Sequence, residues 1–190
     1  MKVIAINGSP RPKGNTSIML ARVCGVLNQA GIETETIQLG GNLVRGCLAC
    51  YQCFEKKNQR CITTDKVSEC LEKMIQADGI LLGSPTYVAN MTTEMKALID
   101  RATLVGKANE DLFRRKVGAA VVPVRRAGAV AVFDGINHFF TLSQMLVVGS
   151  CYWNLAVGRN PGEVENDAEG MRTMDLLGEN MAWLLQKLGK

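Results

Sequence analysis

The segment Lys2-Val3-Ile4-Ala5-Ile6-Asn7, followed by Gly8-Ser9-Pro10-Arg11-Pro12-Lys13-Gly14-Asn15-Thr16-Ser17, decides how the rest of the chain is read. Its first six residues are an apolar, partly β-branched run of strand length, and Gly8-Ser9-Pro10 ends it. Asn15, Thr16 and Ser17 then offer capping side chains to a helix on which Leu20, Val23 and Leu27 recur at helical spacing up to Gly31. The unit is a buried strand, a polar loop and an amphipathic helix.

Outward from that unit the pattern repeats. Residues 32–39 alternate apolar and polar, as a strand nearer a sheet edge does, whereas residues 40–64 show no period and read as a loop. At about 25 residues this loop exceeds the usual connection length, which favours a functional insert. Asp65 caps a helix carrying Val67, Leu71, Met74 and Ile75, and Gly79–Gly83 is a fully apolar strand. A helix follows over residues 93–104, then a fourth strand over 116–124, in which Pro123 is expected to end the ladder. A helix over 129–146, a fifth strand within 147–157 and a final helix with Met174, Leu177, Met181, Leu184 and Leu188 on one stripe complete the series. Alternating β and α units with apolar central strands require a parallel sheet covered on both faces. The expected fold is α/β, a doubly wound five-stranded parallel sheet in the order 2-1-3-4-5, forming one domain over residues 1–190. Ligands of such a sheet bind at the carboxyl ends of its strands.

Composition narrows the partners. Lys plus Arg is 22 and Asp plus Glu 18, a balance of 22 − 18 = +4 that is too mild and too evenly spread to point to nucleic acid. No apolar run reaches the length of a membrane span, and the apolar start of MKVIAINGSP is too short for a signal peptide, so the expected compartment is the cytoplasm. Seven cysteines, an odd number, argue there against a disulfide framework. Cys24, Cys70 and Cys151 stand singly in apolar contexts and read as buried thiols.

The loop after the first strand leads into a helix amino terminus, where free N–H groups and the helix dipole favour an anion. It is not a P-loop, because Asn15 rather than Lys follows Gly14, and Gly8 and Gly14 do not fit a dinucleotide fingerprint. A terminal phosphate monoester held by hydroxyls and amides matches it better; the same residues would also serve as plain helix caps. Two further loops leave the same sheet edge: Gly83-Ser84-Pro85-Thr86-Tyr87-Val88-Ala89-Asn90-Met91 and Arg125-Arg126-Ala127-Gly128. Together the three suit a phosphate, a flat ring system and a second, anionic partner.

With these loops the sequence resembles the NAD(P)H-dependent FMN reductases of the flavodoxin-like fold, which carry G-S-P-R-x-x-G-N-T and a later G-S-P-x-Y. The likeness covers nearly the whole chain, including Lys96-x-x-x-Asp100-Arg101 and Tyr152-Trp153-Asn154. It implies that Ser9, Arg11, Asn15, Thr16 and Ser17 hold the FMN phosphate. Pro85, Thr86, Tyr87, Val88 and Asn90 would line the isoalloxazine, and Arg125, Ala127 and Gly128 would close the site. NAD(P)H would be an electron donor, although no nicotinamide fingerprint is visible.

Cys47-x2-Cys50-x2-Cys53-x7-Cys61 lies in the long loop. Three thiolates at successive x2 spacings match the ferredoxin run that ligates three irons of a [4Fe–4S] cube, and Cys61 can supply the fourth. Structural zinc usually takes two separated C-x-x-C pairs, and Ile62 stands where a two-cluster ferredoxin has proline. Free or zinc-bound thiols remain the alternative. The motif resembles that of the iron-sulfur flavoproteins, a branch of the same family. That likeness implies a homodimer or homotetramer in which FMN and a [4Fe–4S] cluster exchange electrons with ferredoxin or a small-molecule acceptor.

Two other readings stand beside this one. The first is a cluster-free NAD(P)H-dependent FMN, quinone or azo reductase, and the second a non-enzymatic flavodoxin-like binding or regulatory module. The redox readings require no acid–base residue for the electron steps, and the single histidine, His138, reads as packing or interface.

Overall fold

A computed structural model describes residues 1–189. The elements are β1 (Lys2–Asn7), α1 (Asn15–Gln29), β2 (Glu33–Gln38), α2 (Gln52–Lys56), α3 (Lys66–Gln76), β3 (Gly79–Gly83), α4 (Thr93–Ala108), β4 (Val117–Val124), α5 (Ala129–Leu142), β5 (Leu146–Val147), β6 (Leu155–Val157), a 3₁₀ turn (Glu163–Asn166) and α6 (Ala168–Leu188). The sheet order is β2-β1-β3-β4-β5, with every pairing parallel. The expected doubly wound fold and strand order are therefore present.

Both faces of the sheet are covered because side chains alternate along each strand. Ile4, Ile6, Ile80, Leu82, Ala120 and Val122 join the core under α3, α4 and α5. Val3, Ala5, Leu81, Ala119 and Val121 join the core under α1 and α6. All eight residues of β4 are buried, which explains why its sequence is a continuous apolar run rather than an alternating one.

The far edge departs from expectation. The single fifth strand expected within 147–157 is two short pieces, and both pair with β4, at opposite ends of it. Pro123 does not end the ladder either, since it lies opposite Ala156. The reason is geometric. Val122 N–H donates to the Asn154 carbonyl and Gly158 N–H to the Val124 carbonyl, both toward β6. Successive residues point their backbone groups to opposite sides, so Pro123 faces the β3 side, beyond the last paired residue, Gly83. Its missing N–H costs no ladder bond, and its carbonyl accepts from Thr86 N–H at 3.2 Å. The helix expected over 129–146 stops at Leu142, and that over 93–104 continues to Ala108. The long loop, expected to lack structure, contains the five-residue α2. Among the described residues no helix is long and apolar enough to cross a membrane.

Candidate functional site

The loops at the carboxyl edge are stitched together by backbone contacts. Gly8 N–H donates to the Gly83 carbonyl at 2.8 Å, and Thr92 Oγ1 donates to the Gly8 carbonyl at 2.8 Å. This ties the loop after β1 to both ends of the loop after β3. From the other side, Gln38 Nε2 bridges the Ser9 and Gly40 carbonyls at 2.6 and 2.7 Å. Gly40 approaches so closely that a Cβ on it would lie 2.3 Å from the Gly8 carbonyl oxygen. Neither Gln38 nor Gly40 was singled out from the sequence; their only signal was a polar residue and a Gly-Gly pair at a strand end.

The helix ends are not alike. The N-termini of α3, α4 and α6 are capped by the side chains of Asp65, Thr92 and Asp167 and carry an acidic residue in the first turn. By contrast α1 and α5 begin at Gly14 and Gly128, with no side-chain cap and no acidic residue in the first turn. Their first amides lack intrahelical acceptors, and their dipoles are not neutralised by a carboxylate. At α1 the Thr16 hydroxyl is buried, with the residue 1% exposed, and has no hydrogen-bond partner. A buried unpaired hydroxyl beside an open helix end fits a bound anion.

The other expected phosphate residues divide. Ser9 is buried, its hydroxyl accepts from Arg11 N–H at 3.2 Å, and its own N–H donates to the Asn7 side-chain oxygen at 3.0 Å. Arg11 is exposed, and Ser17 is half-buried at the helix end. Asn15 uses its side chain structurally, donating to the Gly158 carbonyl at 3.0 Å and accepting from Gly162 N–H at 2.9 Å. Only its backbone N–H faces the helix end as a free donor.

The loop after β3 turns at Val88 and Ala89, with φ of 51° and 55°. Tyr87 and Asn90 close it with two reciprocal backbone bonds, at 2.8 and 2.9 Å. Such a tight turn normally takes Asn or Gly, and strain of about 1–3 kcal/mol per residue in a β-branched and an alanyl residue is characteristic of a functional loop. Val88 projects wholly into solvent and Tyr87 is 47% exposed; Asn90 is exposed, while Pro85 and Thr86 are half-buried. Thr86 Oγ1 is held by the Pro123 carbonyl at 3.1 Å. The loop after β4 abuts this turn: Gly128, at φ 89°, would place a Cβ 3.1 Å from Ala89 Cα. Arg125 and Ala127 are exposed beside it. The three loops thus meet along one open edge.

The four cysteines of the long loop line one pocket, closed beneath by Arg101, Leu104 and Val105 of α4. Left-handed backbone at Ala49 and Tyr51 turns the chain between successive cysteines, so that residues 47, 50 and 53 line the pocket together, Cys47 and Cys50 exposed and Cys53 half-buried. Ala49 N–H points at Cys47 Sγ at 3.4 Å. Burial pushes the Cys53 thiol above its ordinary pKa, and the nearby Cys61 and Cys47 add to the rise against opposing backbone hydrogen bonds. Among the described residues no three His, Cys, Asp or Glu side chains are gathered closely enough for a single metal ion. Four thiols lining one pocket are a donor set that either an iron–sulfur cluster or zinc can take.

Of the three solitary cysteines, Cys24 and Cys70 are buried as expected, and burial pushes the Cys70 thiol up to about 12. Cys151 is exposed, contrary to expectation, because the chain leaves the sheet between β5 and β6. His138 is exposed at a groove between α4 and α5.

Residues 1–159 match the NADPH-dependent FMN reductase family. The chain belongs to that family. As a family member it is an FMN-dependent oxidoreductase, with FMN as its cofactor. This reductase is 36% identical to an iron-sulfur flavoprotein of Methanocaldococcus jannaschii, over all of both chains. It is 32% identical to an iron-sulfur flavoprotein of Methanosarcina thermophila, over 100% of this chain and 98% of the other. Among solved structures, RosB with a bound riboflavin-phosphate-type intermediate superposes with a TM-score of 0.79, at 16% identity, over 100% of this chain and 80% of that one. A flavodoxin from the domain Archaea gives 0.64, at 17% identity, over 98% and 99%. These likenesses establish a flavodoxin-like fold.

Proposed function

We propose that this reductase is an electron-transfer flavoprotein with two redox centres, FMN at the loop edge and a [4Fe–4S] cluster on Cys47, Cys50, Cys53 and Cys61. The observation that carries it is the single pocket lined by all four cysteines, built from two stretches of one loop on a flavin-reductase fold. FMN, when bound, supplies one- and two-electron chemistry, and a cluster one-electron chemistry.

The chain's residues hold and shape rather than transfer protons. The α1 amides with Ser9, Thr16 and Ser17 would grip the phosphate, and Arg11 would add charge from the rim. The Pro85–Asn90 turn, with Thr86 and Tyr87, would flank the ring, and the open N-terminus of α5 with Arg125, Ala127 and Gly128 would favour negative charge at its far side. Residues 1–190 would act as one domain. Exposed Leu43, Leu48, Tyr51, Phe54 and Ile62 around the cysteines support a homodimer or homotetramer and a redox partner such as ferredoxin. NAD(P)H is the donor that the family name supplies.

Strictly anaerobic purification, with FMN, iron and sulfide quantified per chain and visible and EPR spectra recorded, tests the proposal. The expected product is brown, with roughly one FMN and four irons per chain. A bright yellow, iron-free protein from that preparation refutes the second centre and leaves a plain flavin reductase.

A further inference from the structure

On α4, Leu98, Ala102 and Val105 face the core, and Arg101 is buried with them, 1% exposed. A guanidinium in that position is costly unless its donors are satisfied by well-placed acceptors. Nη1 donates to the Arg45 carbonyl at 3.1 Å and to the two Asp65 oxygens at 2.8 and 2.7 Å. Nη2 donates to the Thr63 carbonyl at 2.6 Å and to Ser68 Oγ at 3.3 Å. Arg45 stands two residues before Cys47, and Thr63 two residues after Cys61. One side chain therefore holds both ends of the cysteine-bearing segment. Asp65 reinforces the closure by accepting from Arg45 N–H at 3.0 Å. Arg101 also lines the pocket shared by the four cysteines, and its buried Nε has no hydrogen-bond partner.

We infer that Arg101 is the positioning residue of the cysteine site: it closes the segment that carries the four thiolates and turns the positive end of the Arg101–Asp65 ion pair toward them. The inference rests on the cluster reading above and assigns to one residue both retention of the cluster and part of its potential. A cube ligated by four thiolates is anionic and gains negative charge on reduction; Arg101 lines the pocket and its ion-pair partner Asp65 does not, so the nearer, positive end of the pair favours the reduced form. Lysine would keep the charge but, as a point donor, could not bridge the Arg45 and Thr63 carbonyls as a planar fork does.

The test compares anaerobically purified wild type with Arg101→Lys and Arg101→Gln. It reads FMN per chain, iron retained under a ferrous chelator, and the cluster midpoint potential by EPR-monitored titration. Both variants are expected to keep FMN and to retain iron about 10- to 100-fold less tightly, as for other residues that support metal ligands. Arg101→Gln should also shift the potential to more negative values, with Arg101→Lys shifting it less. Wild-type iron retention and potential in Arg101→Gln overturn the inference. Loss of FMN together with iron in both variants overturns it too, by assigning Arg101 to the fold as a whole. If Arg101→Gln does not fold, Arg101→Lys decides alone, and wild-type iron retention in it is the refuting result. An iron-free wild type fails the cluster reading first, and the inference with it.

Discussion

Replacing Thr16 with valine removes one buried oxygen while keeping the shape of the side chain. That oxygen has no hydrogen-bond partner in the protein, and the residue is 1% exposed. An unsatisfied buried hydroxyl costs about 1–3 kcal/mol, and threonine and valine have similar helix propensities. Thr16→Val should therefore stabilise the apoprotein by about 1 kcal/mol, which for a domain of this size raises Tm by roughly 2–4 °C. FMN binding should move in the opposite direction. A hydrogen bond to a charged phosphate is worth about 1.5–3 kcal/mol, so affinity should fall roughly 10- to 150-fold. Calorimetry of the flavin-stripped protein and a fluorescence-quenching titration with FMN read the two effects separately. A lower apoprotein Tm, or unchanged FMN affinity, refutes the assignment of this hydroxyl to the phosphate.

Gly40→Ala places a Cβ 2.3 Å from the Gly8 oxygen and the Ser9 carbonyl carbon, where ordinary contact begins at 3.4 Å, so backbone must move by 3.4 − 2.3 = 1.1 Å. Overpacking of this kind costs about 1–3 kcal/mol, and both Tm and FMN affinity should drop. Gly25→Ala, inside α1 with nothing near its added Cβ, should instead raise Tm, by about 0.5–1 kcal/mol of stability. Burial raises the Asp65 pKa, but the hydrogen bonds from Arg101 and from the Arg45 and Val67 amides outweigh it, leaving the carboxyl below its ordinary 3.8. Its stabilisation is then complete above that ordinary value and lost as pH falls through the lower folded one. Asp65→Asn should flatten that acid limb and destabilise the protein at neutral pH by about 3 kcal/mol, as read by urea melts across pH. Alkylation followed by mass spectrometry should label Cys151 quickly while Cys24 and Cys70 stay protected until unfolding; equal labelling of all three would contradict their placement.

The sheet order was readable because β1, β3 and β4 are continuous apolar runs, and a strand buried on both faces has no other composition available. The far edge was not, because two- and three-residue strands leave too few positions to show a period. Thr16 and Asn15 looked equivalent in the sequence, yet the Asn15 side chain is taken by Gly158 and Gly162, more than 140 residues away. The cysteine spacing announced a common centre, but the left-handed turns at Ala49 and Tyr51 that realise it have no local signature. Arg101 entered the sequence reading only within Lys96-x-x-x-Asp100-Arg101, although it stands between the buried Leu98, Ala102 and Val105 of α4. Its partners at Arg45 and Thr63 lie on the far side of an aperiodic loop, where pattern reading has nothing to connect.

The divided edge of the sheet also bears on solubility. A parallel sheet ending on one long, straight strand would offer neighbouring molecules an unbroken row of amides and carbonyls to extend. Here β5 covers Val117 and Gly118, β6 covers Val122 to Val124, and the chain lifts away between them. At this edge an incoming strand meets at most three residues in line before the backbone turns aside, which is less than a stable intermolecular ladder needs. On that side of the sheet association is left to side-chain surfaces, which can be specific, and kept from backbone pairing, which propagates into aggregates; at the other edge the six-residue β2 carries Glu33 and Glu35, charges that oppose such pairing.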